Sequence, residues 1–178
     1  MLNVGVVGLG NVAPSRHIPW IQLNSKAELT AVSDLDEDLL DERTAEYGVP
    51  GYTDFEAMLD EEPIDAVHVC TPPQTHLDIG EAILSRGVPV LIEKPAAMDS
   101  SEVRRLRDVA GETGTTASVV HNRMFEPPIR EARRRVAAGE IGDLVSVELV
   151  YARDTDLDHS QRGTWELEMV GSGIGEGL

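Results

Sequence analysis

The stretch Val4-Gly5-Val6-Val7-Gly8-Leu9-Gly10-Asn11-Val12-Ala13 decides the fold of this chain. Its apolar, β-branched start predicts a buried strand, and the glycines that follow predict a tight turn into a helix. The spacing is the G-x-G-x-x-A form of the dinucleotide-binding fingerprint. In it Gly8 permits the turn, Gly10 lets the backbone approach a pyrophosphate, and Ala13 allows the helix to pack closely on the strand. Pro14 suits the first helical turn, where its missing N–H is not needed.

This loop supplies the first predicted cofactor contacts. A helix N-terminus presents free backbone N–H groups and the positive end of the helix dipole, both of which favour phosphate. The predicted contacts of a dinucleotide here are Gly8, Gly10, Asn11 and Val12.

An acidic residue ends the second predicted strand. Asp34 lies 21 residues after Ala13, where a carboxylate accepts hydrogen bonds from the adenosine ribose hydroxyls. It also repels a 2′-phosphate, so we expect NAD rather than NADP. Two alternatives stay open, since Asp36 is close enough to take this role and Asp34 could instead cap the next helix.

Short apolar runs alternate with amphipathic stretches along the first 120 residues. The strand-like runs are residues 3–8, 27–33, 64–70, 88–92 and 115–120. The helical stretches are residues 14–23, 37–47, 55–59, 75–85 and 101–112. Strands joined by crossover helices make a parallel sheet that is covered on both faces. The sequence therefore predicts an α/β fold, a Rossmann-type doubly wound parallel sheet, over residues 1–120.

The pattern changes after residue 120. A connector, residues 121–128, leads into a basic helix near residues 129–138, and residues 144–153 alternate as a strand with one wet face. A polar and then glycine-rich stretch follows. A lone strand makes no stable sheet, so we predict that residues 121–178 are the truncated start of an α+β domain.

Composition excludes several classes of protein. Apolar residues make up 41% of the 178 residues, enough for a packed core. The net charge of −17 repels nucleic acid and anionic membranes, and no apolar run is long enough to span a bilayer. The N-terminus lacks a basic signal-peptide region, so we expect a cytoplasmic protein. We assign no metal site.

The same charge suggests a protein adapted to salt. Acids number 32 and bases 15, and only two of the bases are lysines. At molar salt the Debye length falls to about 3 Å, which screens repulsion among the acids. We therefore expect a halophilic protein, with an ordinary acidic protein as the alternative.

Two further segments follow predicted strands. Thr71-Pro72-Pro73-Gln74-Thr75-His76 follows the strand that should neighbour the first, so its loop should face the glycine loop. We assign Thr71, Pro72 and His76 to the cofactor site, although a histidine inside a helix is more often a packing or capping residue than a catalyst. His17, His68 and the single cysteine, Cys70, are interpreted as packing residues.

The second segment is Val90-Leu91-Ile92-Glu93-Lys94-Pro95. An acid, a lysine and a proline directly after an apolar strand place a cation at the ligand crevice. Such a lysine stabilises a developing alkoxide or, as the neutral amine, accepts its proton. The alternative is that Lys94 only pairs with Glu93.

Taken in order, the motifs of residues 8–13, Asp34, Thr71-Pro72 with His76, and Glu93-Lys94-Pro95 resemble the Gfo/Idh/MocA oxidoreductases. The chain is similar to the amino-terminal half of these glucose–fructose oxidoreductase-like and inositol dehydrogenase-like enzymes. Arg123-Met124-Phe125-Glu126-Pro127 is similar to the family's entry into the second domain, which more often reads Arg-Phe directly.

The resemblance implies a Rossmann domain followed by an α+β domain, an NAD or NADP cofactor, and hydride transfer at a sugar, inositol or polyol carbon. By motif match, Lys94 contacts the reacting hydroxyl and also belongs with Glu93 to the cofactor site. Glu93 lies by the nicotinamide ribose, and the peptide before Pro95 is often cis. Asn122 and Arg123 are weaker substrate candidates. A homo-oligomer through the carboxy-terminal sheet is expected when the protein is full length.

The resemblance also implies a glycine-rich stretch that ends in an aspartate and a histidine. Residues 171–178 are similar to its start, with Gly177 where the aspartate usually stands unless Glu176 replaces it, and the histidine would follow Leu178. We therefore expect this chain to bind cofactor without turnover. The alternative for the parent protein is a non-catalytic NAD-binding regulatory or scaffold protein on the same fold.

Overall fold

The computed structural model describes residues 1–148 and 150, and the chain divides into two compact units, Met1–Val120 and His121–Leu178. Positions 149 and 151–153 of the predicted last strand lie outside the described residues. So does the predicted glycine-rich stretch, residues 171–178.

The first unit contains one six-stranded parallel sheet with helices in its crossovers. Its strands are β1 (Leu2–Val7), β2 (Ala27–Ser33), β3 (Gly51–Tyr52), β4 (Ala66–Val69), β5 (Val90–Ile92) and β6 (Ala117–Val119). Its helices are α1 (Ile18–Leu23), α2 (Glu37–Tyr47), α3 (Phe55–Glu61), α4 (His76–Ser85) and α5 (Ser100–Thr113). The strand order β3-β2-β1-β4-β5-β6 is that of the Rossmann fold and confirms the predicted fold class.

The sheet separates two apolar cores because successive side chains of a strand point to opposite faces. In β1, Val4 and Val6 pack in one core and Val7 packs in the other, while Val67 and Val69 of β4 join the core that holds Val7. All five of these side chains are buried. This two-sided burial explains why the strands read as nearly continuous apolar runs.

The helices begin and end at residues that supply the missing backbone hydrogen bonds. Asp36, Asp54 and Asp99 accept N–H groups in the first turns of α2, α3 and α5. Gly48 and Gly114 end α2 and α5 in the left-handed conformation, which glycine adopts without a steric penalty.

The predicted first helix, residues 14–23, is divided into two parts. A π-helical segment, Ala13–His17, precedes α1, and the N–H of Ile18 bonds to the carbonyl of Ala13, five residues back. Pro19 has no N–H to bond to Ser15, so the regular α-helical ladder cannot run through this point. β3 was not predicted, because a strand of two residues is too short to give a periodic signal.

In the second unit, a 3₁₀ turn (Asn122–Phe125) precedes α6 (Pro127–Ala137), and Gly139 follows with a φ of 70°. The predicted strand over 144–153 is wrong for its described part, since residues 144–148 and 150 belong to no helix or strand. A strand needs a partner for its hydrogen bonds, and no strand in the described part of the chain pairs with these residues. None of the described helices is long and apolar enough to cross a membrane.

Candidate active site

The candidate site lies along the carboxyl edge of the parallel sheet. The strand register places Val7 level with Ser33 and with Val69, and Val69 level with Ile92. The residues that follow these four therefore leave the sheet side by side, and they are Gly8, Asp34, Cys70 and Glu93. Backbone hydrogen bonds of Gly8, Cys70 and Glu93 to the neighbouring strands hold this row in place.

The two glycines of the fingerprint, Gly8 and Gly10, have different surroundings. Gly8 has a φ of 90°, and a Cβ atom there would lie 2.7 Å from the backbone nitrogen of Thr71. A Cβ atom on Gly10 would meet nothing within 4 Å. The chain itself thus requires glycine at position 8, while the open space above Gly10 leaves room for a ligand to approach the backbone.

The rest of the loop leads into the π-helical segment. Ser15 Oγ donates to the carbonyl oxygen of Asn11 at 2.5 Å, which ties the loop to the first helical turn. Val12 is 38% exposed, whereas Ala13 is fully buried. Asn11 and Val12 therefore stand at the open end of the helix, as expected for residues near a phosphate.

Asp34 is joined to the glycine loop itself. Its Oδ2 accepts a hydrogen bond from the backbone N–H of Leu9 at 2.6 Å, and its Oδ1 accepts from the N–H of Asp36 at 3.0 Å. The carboxylate of Asp36 caps α2 by accepting from the N–H of Leu39. Asp36 is thus the helix cap, which leaves Asp34 as the acid beside the loop.

The loop after β4 packs on the same row. The hydroxyls of Thr71 and Thr75 lie 2.8 Å apart, and Thr75 Oγ1 donates to the carbonyl oxygen of Pro72. His76 is fully buried, with Nδ1 2.9 Å from the Pro95 carbonyl oxygen and Nε2 2.8 Å from that of Thr71. The His76 ring thus links the two loops, and its predicted contact with the cofactor stays a prediction.

Glu93 and Lys94 face different partners. Glu93 Oε1 lies 2.9 Å from His17 Nε2, and Glu93 Oε2 accepts the backbone N–H of Lys94 at 3.0 Å. The Lys94 side chain is exposed, and within residues 1–148 and 150 its ammonium makes no ion pair or hydrogen bond. The Lys94–Pro95 peptide is cis, as the resemblance led us to expect.

Sequence reasoning missed two residues of this site. His17, at the end of the π-helical segment, and His68, in β4, were interpreted as packing residues, yet their Nδ1 atoms lie 3.0 Å apart and His17 also contacts Glu93. A signal was present, because the alternation of β4 turns His68 away from the core that holds Val67 and Val69.

Three partly buried groups at this sheet edge, His68, Cys70 and Glu93, have shifted pKa values. Burial, aided by the charge of His17, lowers the pKa of His68 to about 4. Burial opposes ionisation of Glu93, but hydrogen bonds from His17 and from the Lys94 N–H outweigh it, so the pKa of Glu93 lies below its usual value. Burial and the nearby Glu93 carboxylate raise the pKa of the Cys70 thiol, which makes it unreactive and agrees with its interpretation as a packing residue.

These residues fit a nicotinamide dinucleotide. The space above Gly10 and the exposed start of the helix suit a pyrophosphate, and Asp34 stands at the end of the strand beside the loop. The described residues hold no group of three or more histidine, cysteine or acidic side chains suited to a metal ion. Asn122 and Arg123 lie in the 3₁₀ turn of the second unit.

Comparison with known proteins identifies the family. The Gfo/Idh/MocA family model, described as an oxidoreductase family with an NAD-binding Rossmann fold, matches residues 2–121. The chain belongs to this family. The resemblance found in the sequence is thereby confirmed, and the Gfo/Idh/MocA chain has the nucleotide-binding fold of its relatives.

Three of these relatives indicate the range of the family. The chain is 31% identical to an inositol 2-dehydrogenase of Rhizobium meliloti over 150 residues, which are 84% of this chain and 44% of that protein. It is 31% identical over 144 residues to a Haloferax volcanii protein named D-xylose 1-dehydrogenase (NADP(+)) 2, covering 80% of this chain and 44% of the relative. The WlbA dehydrogenase from Bordetella pertussis, solved with NADH and UDP-GlcNAcA, aligns with a TM-score of 0.74 and 25% identity, over 79% of this chain and 43% of that one.

The chain spans about half the length of the curated relatives it matches.

Proposed function

We propose that the parent protein of this chain is an NAD-dependent oxidoreductase that moves hydride between the nicotinamide and a hydroxyl-bearing carbon of a sugar, an inositol or a related polyol. The observation that carries the proposal is the row of Gly8, Asp34, Cys70 and Glu93 at one sheet edge, with Lys94 directly beyond it. The row combines a dinucleotide-binding loop with a cation at the ligand crevice.

The chain's own residues divide the work. The glycine loop, with Asn11 and Val12, binds the pyrophosphate. The Asp34 carboxylate accepts hydrogen bonds from the adenosine ribose hydroxyls. Thr71 and Pro72, in the loop after β4, contribute to the cofactor site. Glu93 lies by the nicotinamide ribose. When bound, the nicotinamide supplies the hydride acceptor or donor for the reaction.

Lys94 is the proposed catalytic residue. Its exposed ammonium stabilises negative charge on the substrate oxygen as hydride leaves the carbon, or its neutral amine takes the hydroxyl proton. The alternative role, a structural pair with Glu93, is disfavoured because within residues 1–148 and 150 the Lys94 ammonium forms no ion pair with the Glu93 carboxylate.

The preference for NAD rests on the Asp34 carboxylate, which would face a 2′-phosphate with like charge. The Haloferax volcanii relative is named for NADP(+), so the preference for NAD over NADP is to be tested on this protein itself. We propose in addition a cytoplasmic protein that forms a homo-oligomer through its carboxy-terminal sheet.

A second candidate function is NAD binding without catalysis, as a regulatory or scaffold protein. The observation that favours it is in the sequence, where the resemblance puts Gly177 at the position of the family's usual aspartate unless Glu176 replaces it. For the 178-residue chain alone, we propose cofactor binding without turnover.

The test is a screen of sugar, inositol and polyol oxidation with NAD at molar salt, on the full-length parent and its Lys94→Ala variant. We expect NADH formation with at least one substrate and a large loss of kcat in the variant. Tight NAD binding with no oxidation of any substrate would instead support the non-catalytic function.

A further inference from the structure

Three titratable side chains from three different parts of the fold form one partly buried hydrogen-bonded chain at the candidate site. His68 lies in β4, His17 ends the π-helical segment after the glycine loop, and Glu93 directly follows β5. The Nδ1 atoms of the two histidines lie 3.0 Å apart, and His17 Nε2 lies 2.9 Å from Glu93 Oε1. The side chains of His17 and Glu93 are only 6% and 13% exposed.

The proton positions in this chain are constrained. A carboxylate oxygen only accepts, so the contact with Glu93 requires a proton on His17 Nε2. The contact between the two Nδ1 atoms requires one N–H and one lone pair. His68, which is neutral near pH 7 because burial depresses its pKa to about 4, serves as either partner by choice of tautomer. His17 therefore presents Nε2–H to Glu93 whether it is neutral or charged.

The chain continues to the proposed catalytic residue. The second oxygen of Glu93 accepts the backbone N–H of Lys94 at 3.0 Å, so both oxygens of this carboxylate are fixed. Through Glu93, the segment that carries Lys94 is tied to His17, and through His17 to the helical segment that the glycine loop opens. The cofactor loop and the substrate-facing lysine are thus joined by side-chain hydrogen bonds as well as through the sheet.

We propose that His17 is a positioning residue for catalysis: its Nε2–H fixes the Glu93 carboxylate, and thereby the backbone of Lys94, relative to the cofactor loop, with His68 as its partner on Nδ1. The inference rests on the proposed function, since it is the oxidoreductase reaction that requires Lys94 to be placed accurately. A misplacement of about 1 Å in such a site lowers the rate by roughly a hundredfold.

The first experiment needs no activity. Long-range ¹H–¹⁵N spectra of the histidine rings in the 178-residue chain should show a protonated Nε2 on His17. The Lys94 amide resonance should shift in His17→Leu and return towards its native position in His17→Gln, whose amide N–H lies near the place of Nε2–H. A His17 ring with a bare Nε2, or a Lys94 amide that is unaffected in both variants, overturns the proposal.

The second experiment measures catalysis in the full-length protein. We expect His17→Leu to lower kcat by about tenfold to a hundredfold, to change KM little, and to be largely rescued by His17→Gln. Gln22→Leu, an exposed polar-to-leucine change on α1, is the matched control and should behave as the native protein. Equal kcat in all three variants overturns the proposal. If the native protein oxidises no substrate, the proposed function fails, while the spectra still decide the role of His17.

Discussion

The Asp34 carboxylate accepts a hydrogen bond from the backbone N–H of Leu9 at 2.6 Å, which ties the end of β2 to the glycine loop. We predict that Asp34→Ala weakens NADH binding about tenfold to a hundredfold, the range expected for loss of hydrogen bonds to a charged group. Asp34→Ser should shift the preference from NAD towards NADP, because it removes the charge that repels a 2′-phosphate. Fluorescence titration with both reduced cofactors measures these effects.

The matched control is Asp36→Ala. Asp36 caps α2, so its loss should destabilise the fold by about 1 kcal/mol and leave the ratio of NAD to NADP affinity unchanged. A changed ratio in Asp36→Ala with a constant ratio in Asp34→Ser would assign the ribose contact to Asp36. A native protein that prefers NADP would contradict the role given to Asp34.

The two loop glycines should respond in opposite ways to alanine. Gly8→Ala places a methyl group 2.7 Å from a backbone nitrogen at a φ of 90°, so we expect destabilisation by more than about 1 kcal/mol. Gly10→Ala meets open space, so the fold should be unchanged or slightly more stable, while NADH binding is lost as the methyl group takes the place of the pyrophosphate. Thermal unfolding and NADH titration separate the two effects, and NADH binding by a stable Gly10→Ala protein would argue against the loop as the phosphate site.

The two lysines of the chain provide a matched pair. Lys94→Ala in the full-length protein should lower kcat by about a hundredfold or more, because both proton transfer and charge stabilisation are lost. In the 178-residue chain the same change should alter NADH affinity only slightly. Lys26→Ala, an exposed lysine just before β2, should leave kcat and affinity unchanged. Comparable kcat in the two lysine variants would remove Lys94 from the mechanism.

The parts of this site that the sequence predicted are those with short-range signals. Gly8, Asp34 and Glu93 each directly follow a strand, and the rule that parallel strands end at one edge brings them together. The two-residue β3 and the π-helical segment have no such signal, because one is too short and the other depends on a missing hydrogen bond at Pro19.

The histidines show why side-chain partners are harder to predict than strand ends. His17 contacts Glu93, 76 positions away, and His76 contacts the Pro95 carbonyl, 19 positions away. Both contacts depend on how a helix packs over a strand end, and no local pattern encodes that distance. His76 fits the motif of cofactor-site residues, yet its ring is used inside the fold.

His68 should give the fold a distinctive loss of stability in mild acid. Its pKa falls from 6.5 to about 4 on folding, so between these values the unfolded chain binds a proton that the folded chain excludes. The free energy of unfolding therefore falls as the pH drops from 6.5 to 4, by up to about 3 kcal/mol from this residue. Glu93, whose folded pKa is lowered, adds a further loss below about pH 4.5.

Urea unfolding at several pH values measures this slope. His68→Val should flatten the curve between pH 6.5 and 4 and keep the loss at lower pH that Glu93 contributes. His121→Val, a change at an exposed histidine, should keep the native slope. Parallel curves for the native chain and His68→Val would show that folding does not change the pKa of His68, which would contradict this prediction.

The charge of −17 predicts how stability depends on salt. Repulsion among exposed acids opposes the compact state, and its screening at molar salt should raise the melting temperature of the chain as NaCl increases from 0.1 to 2 M.

Asp41→Asn and Glu112→Gln each remove one exposed acid, and Glu112 lies in the last turn of α5, where a negative charge is unfavourable. Each variant should be more stable than the native chain by a few tenths of a kcal/mol at low salt. This advantage should vanish at 2 M NaCl. The dependence on charge separates screening from the general stabilising effect of salt on apolar burial, which would raise all three melting temperatures equally. A melting temperature that stays flat or falls with NaCl would mean that the acids of this chain are those of an ordinary acidic protein.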